Sequence, residues 1–213
     1  MGDWNLDFYY RPLSKEPEFR LTENMLRNAN IGRNYWDCSI EQIPDQCDYK
    51  GQLKRLVSRL PRDVRAGRGA VFWGNHGFGK TAAADILLKA AMARGGQCYH
   101  RIACSIEHVY NKRWVETNLD GIEIWDVLTK VQVLVIDDLG TELSMAGFKA
   151  GDTRIIEELL RARYDERLPT YITTNLPIDG LTKHYQPINS ILADTSRYES
   201  VHVTGHYWRD GEE

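Results

Sequence analysis

The 213-residue chain reads as an α/β protein, a mostly parallel sheet covered by helices on both faces, and three observations predict this. The apolar runs Ala70-Val71-Phe72-Trp73 and Val131-Gln132-Val133-Leu134-Val135-Ile136 are short and nearly continuous, as in strands buried on both faces. Stretches of helical period separate these runs, so strands and helices alternate along the chain. The second run ends in two carboxylates, Asp137 and Asp138, at the kind of strand tip where open α/β sheets bind ligands.

Residues 1–24 mix aromatics, prolines and charges without a period and are expected to form an N-terminal arm or extension, with one domain over 25–213. Trp4, Phe8, Tyr9 and Tyr10 in that arm would dock on the body or on a partner. Thr22 is placed to cap a short helix running to about Asn30. From Tyr49 to about Val64 a second helix buries Leu53, Leu56, Val57 and Leu60. Its other face carries Lys50, Lys54, Arg55 and Arg59, and Arg62, Arg65 and Arg68 follow; this is either a solvated face or a surface for phosphate or a subunit. The strand 70–73 leads through a glycine-rich loop into the helix former Ala82–Ala93, which Gly95-Gly96 ends. A strand over Gln97–Ala103, a helix capped by Ser105, a helix from Ile122 to Leu128 and the acidic-tipped strand come next. Beyond a loop over Leu143–Gly151, a helix from Asp152 to about Arg167 turns Ile155, Ile156, Leu159 and Leu160 inward. Strands at Pro169–Asn175 and Val201–Val203 complete the pattern.

The loop itself, Gly74-Asn75-His76-Gly77-Phe78-Gly79-Lys80-Thr81, spells G-x-x-x-x-G-K-T. Glycines let successive backbone N–H groups turn inward and cradle a polyphosphate, at the N-terminus of the helix that follows. Lys80 would reach the β- and γ-phosphates of ATP, and the Thr81 hydroxyl would ligate Mg²⁺. Asp137 would hold that ion through water, and Asp138 is the candidate general base for the attacking water. The strand tip Thr173-Thr174-Asn175 would set Asn175 beside the γ-phosphate, between the two motifs.

Bulk properties narrow the classes. A net charge of −3 is not that of a constitutive nucleic-acid binder, so any DNA contact needs a local patch. The helical stretch after Ser105 offers one such patch, in which Trp114 beside Lys112 and Arg113 could stack a single-stranded base. No stretch is long and apolar enough to span a membrane, and no signal peptide opens the chain. Cys38, Cys47, Cys98 and Cys104 form no C-x-x-C pair and read as free thiols of a cytoplasmic protein.

Taken together these segments resemble the AAA+ ATPases of the DnaC/DnaI helicase-loader and IstB group, over about Leu26 to Arg209. The marks are Arg27-Asn28-Ala29-Asn30-Ile31 with Tyr35–Ile40, similar to the group's adenine-side segment, and Gly74–Thr81 as Walker A. Val135–Gly140 matches Walker B, and Arg163-Tyr164 followed by Pro169–Leu176 matches the sensor 1 segment, with Asn175 as the sensor. The resemblance implies a P-loop NTPase that binds ATP and Mg²⁺ and works in DNA replication. Subunits would associate side by side as a homo-oligomer, engage single-stranded DNA and place a ring helicase on it. ATP would lie at subunit interfaces, where a neighbour's arginine completes the site.

The chain departs from the group's pattern twice. Only about two dozen residues precede the core, where loaders carry a helicase-gripping domain, so a compact form of the group is expected. In Tyr185–Leu192, Ile191 stands where the group's arginine finger would fall, which leaves Arg197 or Arg163 as trans candidates. Other readings are an IstB-like transposition helper and an ATP-gated assembly module with little turnover. A small-molecule kinase would need an arginine-rich lid, and Leu143–Lys149 holds one lysine and no arginine.

Overall fold

The computed structural model of the protein describes residues 12–111, 123–141, 153–185 and 189–205. The aromatics Trp4 to Tyr10, the set Lys112, Arg113 and Trp114, and the loop 143–151 lie outside the described residues. Helices α1 (Glu23–Asn28) and α2 (Tyr49–Ala66) precede β1 (Gly69–Trp73) and α3 (Lys80–Met92). Then come β2 (Cys98–Ile102), α4 (Ile106–Asn111), α5 (Ile124–Lys130), β3 (Val133–Leu139) and α6 (Arg154–Asp165). The remainder is β4 (Thr170–Thr174), α7 (Ile178–His184), α8 (Asn189–Leu192) and β5 (Tyr198–His202).

The five strands form one sheet in the order β2-β3-β4-β1-β5, and every pairing is parallel. Strand β4 is inserted between the strand that leads into the glycine-rich loop and the strand that carries Asp137 and Asp138 near its end. Its tip, Asn175, therefore emerges between the two motifs.

Alternate residues of each strand face opposite layers, and both layers are apolar. Ala70, Phe72, Val133, Val135 and Tyr171 pack with α1, α2 and α3. Val71, Leu134, Ile136 and Ile172 pack with α4 to α8. This two-sided burial is why the strands read as continuous apolar runs rather than as alternation.

Several boundaries have identifiable causes. The Thr22 side chain accepts from the Met25 N–H, capping α1 as expected. Helix α2 runs to Ala66, past the expected end at Val64, and stops at Gly67, whose φ of 67° suits a left-handed C-terminal cap. Ser105 does not cap α4: its hydroxyl donates to the Ile102 carbonyl and closes a short 3₁₀ turn instead. Strand β5 begins at Tyr198, three residues before the expected start, because it pairs with β1 along its whole length. The described part of the N-terminal extension is tied to the end of α3, with Glu18 and Phe19 N–H groups on Ala93 O and Leu13 in the core. No described helix is long and apolar enough to cross a membrane. All four cysteines are free.

Candidate nucleotide site

A cleft of about 700 Å³ opens at the C-terminal edge of the sheet, within the range of small-molecule sites. Its lining includes His76, Gly77, Gly79, Lys80 and Thr81 of the loop, Asp137 and Asp138 of β3, and Asn175. Across from them stand Asn30, Gly32, Asn34, Tyr35 and Cys38 of the N-terminal segment. The cleft thus gathers the three motifs and the segment matched to the adenine side.

Backbone geometry shapes the loop. Gly79 caps α3 with φ 91°, and a Cβ on Gly74 would sit 2.5 Å from the Val203 carbonyl oxygen. Both positions exclude ordinary side chains. Lys80 is buried, and its ammonium donates to Asn75 O at 2.7 Å, inside the loop.

Strand tips carry the acidic side. Thr81 Oγ1 donates to Asp137 Oδ1 at 2.9 Å, and Thr173 Oγ1 donates to the same oxygen at 2.6 Å. The pairing of β3 with β4 shifts register between Ile136 and Leu139, and Asp138 within that shift takes φ 56°. A left-handed aspartate in a strand costs on the order of 1–3 kcal/mol, a kind of strain that clusters at functional sites. Its N–H donates to Thr173 Oγ1 at 2.8 Å, which holds the bulge in place. The Asp138 carboxylate then meets Asn175, whose Nδ2 lies 3.4 Å from Asp138 Oδ1. Among the described residues Asn175 Oδ1 is buried without a hydrogen-bond partner.

This donor set fits a magnesium nucleotide. Mg²⁺ takes one or two protein oxygens and completes its shell with phosphates and water, and Thr81 and Asp137 supply two adjacent hard oxygens. Among the described residues no cluster of three or more His, Cys, Asp and Glu side chains could hold a metal alone. An ion here would share its coordination with phosphate.

Sequence reasoning missed a buried polar layer that reaches the wall of the cleft at His100. Thr81, Asp85 and Lys89 recur every fourth residue along α3 and so share one side of the helix. Asp85 Oδ1 lies 2.7 Å from His100 Nδ1. His100 Nε2 in turn faces Asp137 Oδ2 at 3.7 Å. Burial opposes charge on His100, but the flanking carboxylates of Asp137 and Asp85 outweigh it and raise the pKa to about 10. Burial also opposes ionisation of Asp137, yet His100, Thr173 and Thr81 hold its carboxyl below the ordinary carboxylate range. Lys89 Nζ donates to the carbonyls of Tyr35, Trp36 and Cys38 at 2.6, 2.9 and 2.5 Å, stapling the N-terminal segment to α3. The readable signal was Asp85 and Lys89 in an otherwise apolar helix, spaced from Thr81 by four and eight residues.

The two arginines proposed to act in trans lie elsewhere. Arg163 is fully buried; its guanidinium donates to Thr170 Oγ1 and to the carbonyls of Leu128, Val131 and Pro169, all at 2.8–2.9 Å. That corrects the expectation: Arg163 is an interior cross-link between α5, α6 and β4 and presents nothing to a neighbour. Arg197 precedes β5 at the other end of the strands from the loop, roughly 16 Å away at 3.3 Å per residue. It donates to Gly67 O at 2.9 Å and Tyr164 O at 3.2 Å and stacks on the Tyr164 ring. Ile191, at the arginine-finger position, is buried in the core.

Solved structures share this architecture. The DnaC helicase loader superposes with a TM-score of 0.66 at 19% identity, covering 81% of this chain and 100% of that one. DnaI gives 0.62 at 20% identity, over 82% and 95% of the two chains. The replication initiator DnaA bound to AMPPCP and single-stranded DNA gives 0.61 at 14% identity, over 82% and 51%. No family model matches the chain, and no curated protein matches it. At these identities the likeness is one of fold: the chain shares the fold of the helicase loaders DnaC and DnaI.

Proposed function

We propose that this chain binds ATP with Mg²⁺ in the cleft, hydrolyses it slowly, and acts in DNA replication as a loader of a ring helicase. In this reading copies of the chain associate side by side and engage single-stranded DNA. The observation that carries the reading is the meeting of the phosphate loop, the Asp137-Asp138 tip and Asn175 around one cleft. Lys80 and the loop N–H groups would bind the phosphates, and Thr81 and Asp137 would orient the ion. Bound Mg²⁺ would supply charge neutralisation for the phosphates. Asp138 would accept the proton of the attacking water, and Asn175 would position that water through its partnerless oxygen. The replication setting is supported by the fold shared with DnaC, DnaI and DnaA.

A second reading, an ATP-gated assembly module with little turnover, draws support from the arginines. Ile191 is core, Arg163 is interior and Arg197 is anchored to Gly67 and Tyr164. Turnover measured across a protein concentration series, with and without single-stranded DNA, separates the two. A steep rise with concentration and DNA supports the loader ATPase. Tight ATP binding with negligible turnover throughout supports the assembly switch.

A further inference from the structure

We propose that His100 is a positioning residue for the magnesium site, holding the Asp137 carboxylate in the orientation that meets Thr81. The inference rests on the reading of the cleft as a Mg²⁺-nucleotide site. It comes from register and contact geometry. In the pairing of β2 with β3, Ile102 stands opposite Asp137 and His100 opposite Val135. Residues two apart on a strand share a face, so His100, Val135 and Asp137 all turn toward α3, where Asp85 lies one helical turn beyond Thr81. The imidazole therefore spans two carboxylates on separate elements, at 2.7 Å from Asp85 Oδ1 and 3.7 Å from Asp137 Oδ2.

The two oxygens of Asp137 have different tasks. Oδ1 accepts from Thr81 and Thr173 on the cleft side. Oδ2 faces the ring of His100. Thr81 and Thr173 hold Oδ1 and His100 holds Oδ2; without His100 the carboxylate would be held through one oxygen and free to tilt about its last torsion. The residue is itself held at three further points. Its Nδ1 is held by Asp85, which is 0% exposed. Its backbone N–H donates to Ala29 O at 2.9 Å, and its carbonyl accepts from Asn30 Nδ2 at 2.8 Å. Asn30 also lines the cleft, so the N-terminal segment that walls the cleft grips the residue that orients Asp137. Groups in the shells outside a metal's ligands typically contribute 10–100-fold to metal affinity.

The test reads the Mg²⁺ concentration needed for half-maximal binding of a fluorescent ATP analogue, alongside affinity for the same analogue in EDTA. An asparagine amide reaches about as far as imidazole Nδ1, and a glutamine amide about as far as Nε2. His100→Asn should keep the Asp85 contact, lose the Asp137 contact, and raise the Mg²⁺ requirement about 10-fold or more. His100→Gln, which can still donate toward Asp137, should stay within about threefold of the wild type, and both should keep the wild-type affinity in EDTA. An unchanged Mg²⁺ requirement in His100→Asn overturns the inference. So does an equal loss of affinity with and without Mg²⁺, which would mark His100 as purely structural. Should His100→Asn fail to fold, the double variant Asp85→Asn/His100→Asn replaces the buried ion pair with two amides and gives the same reading. Failure of the wild type to bind the analogue at any Mg²⁺ concentration would instead refute the nucleotide-site reading itself.

Discussion

The two edges of the sheet use their polar residues in opposite ways. At the C-terminal edge Thr81, Asp137, Asp138 and Asn175 line one cleft, with a left-handed aspartate and a buried, partnerless amide oxygen among them. At the N-terminal edge Arg163 and Arg197 close on backbone carbonyls and a tyrosine ring and so join neighbouring elements. One edge keeps strain and unsatisfied groups where a ligand could use them; the other spends its strongest donors on cohesion. A charged residue in a sequence is therefore not evidence of a site until its partners are known.

Substitutions at each edge should break this contrast in different observables. Asp138→Asn should slow ATP turnover by about 10²–10⁴-fold, the usual contribution of a general base, while nucleotide affinity stays within about threefold. Asparagine tolerates the left-handed backbone that Asp138 adopts, so the fold should be unaffected. Turnover equal to wild type would remove Asp138 from the chemistry. Arg163→Ala should act on stability alone: it strands the buried carbonyls of Leu128 and Val131, while Pro169 O keeps the Leu134 N–H, and should cost on the order of 2–4 kcal/mol in denaturant unfolding. A normally stable variant with impaired turnover would restore Arg163 as a functional arginine. Arg197→Ala should be milder, about 1–2 kcal/mol, since its guanidinium is only partly buried and makes two carbonyl contacts. A loss of turnover seen only at concentrations where subunits associate would show instead that Arg197 leaves its anchors to serve a neighbour.

The same contrast explains what the sequence made legible. The Gly74–Thr81 loop is readable because the chemistry proposed for it needs fixed spacing, and Asp137 and Asp138 because they end a run apolar on both faces. Asn175 reads as a strand tip between the motifs, and β4 is inserted between their two strands. Arg163 was misread because its neighbours in space, Leu128 and Val131, lie more than thirty positions away in sequence. His100 escaped notice for the same reason: its partners Asp85 and Asp137 come from two other elements. The start of β5 was hidden by Glu199 and Ser200, polar residues of an edge strand that pair with Arg59 and the Trp73 indole N–H.

The central claim is that the cleft is a phosphate-binding nucleotide site, and the most direct test is ATP affinity of the wild type beside Lys80→Ala, each with Mg²⁺ and with EDTA. Loss of a charged hydrogen-bonding group should weaken binding by about 10–100-fold in Lys80→Ala, with the melting temperature in the absence of nucleotide nearly unchanged. Added Mg²⁺-ATP should raise the wild-type melting temperature and not that of the variant. Equal affinity in the two proteins would contradict the account.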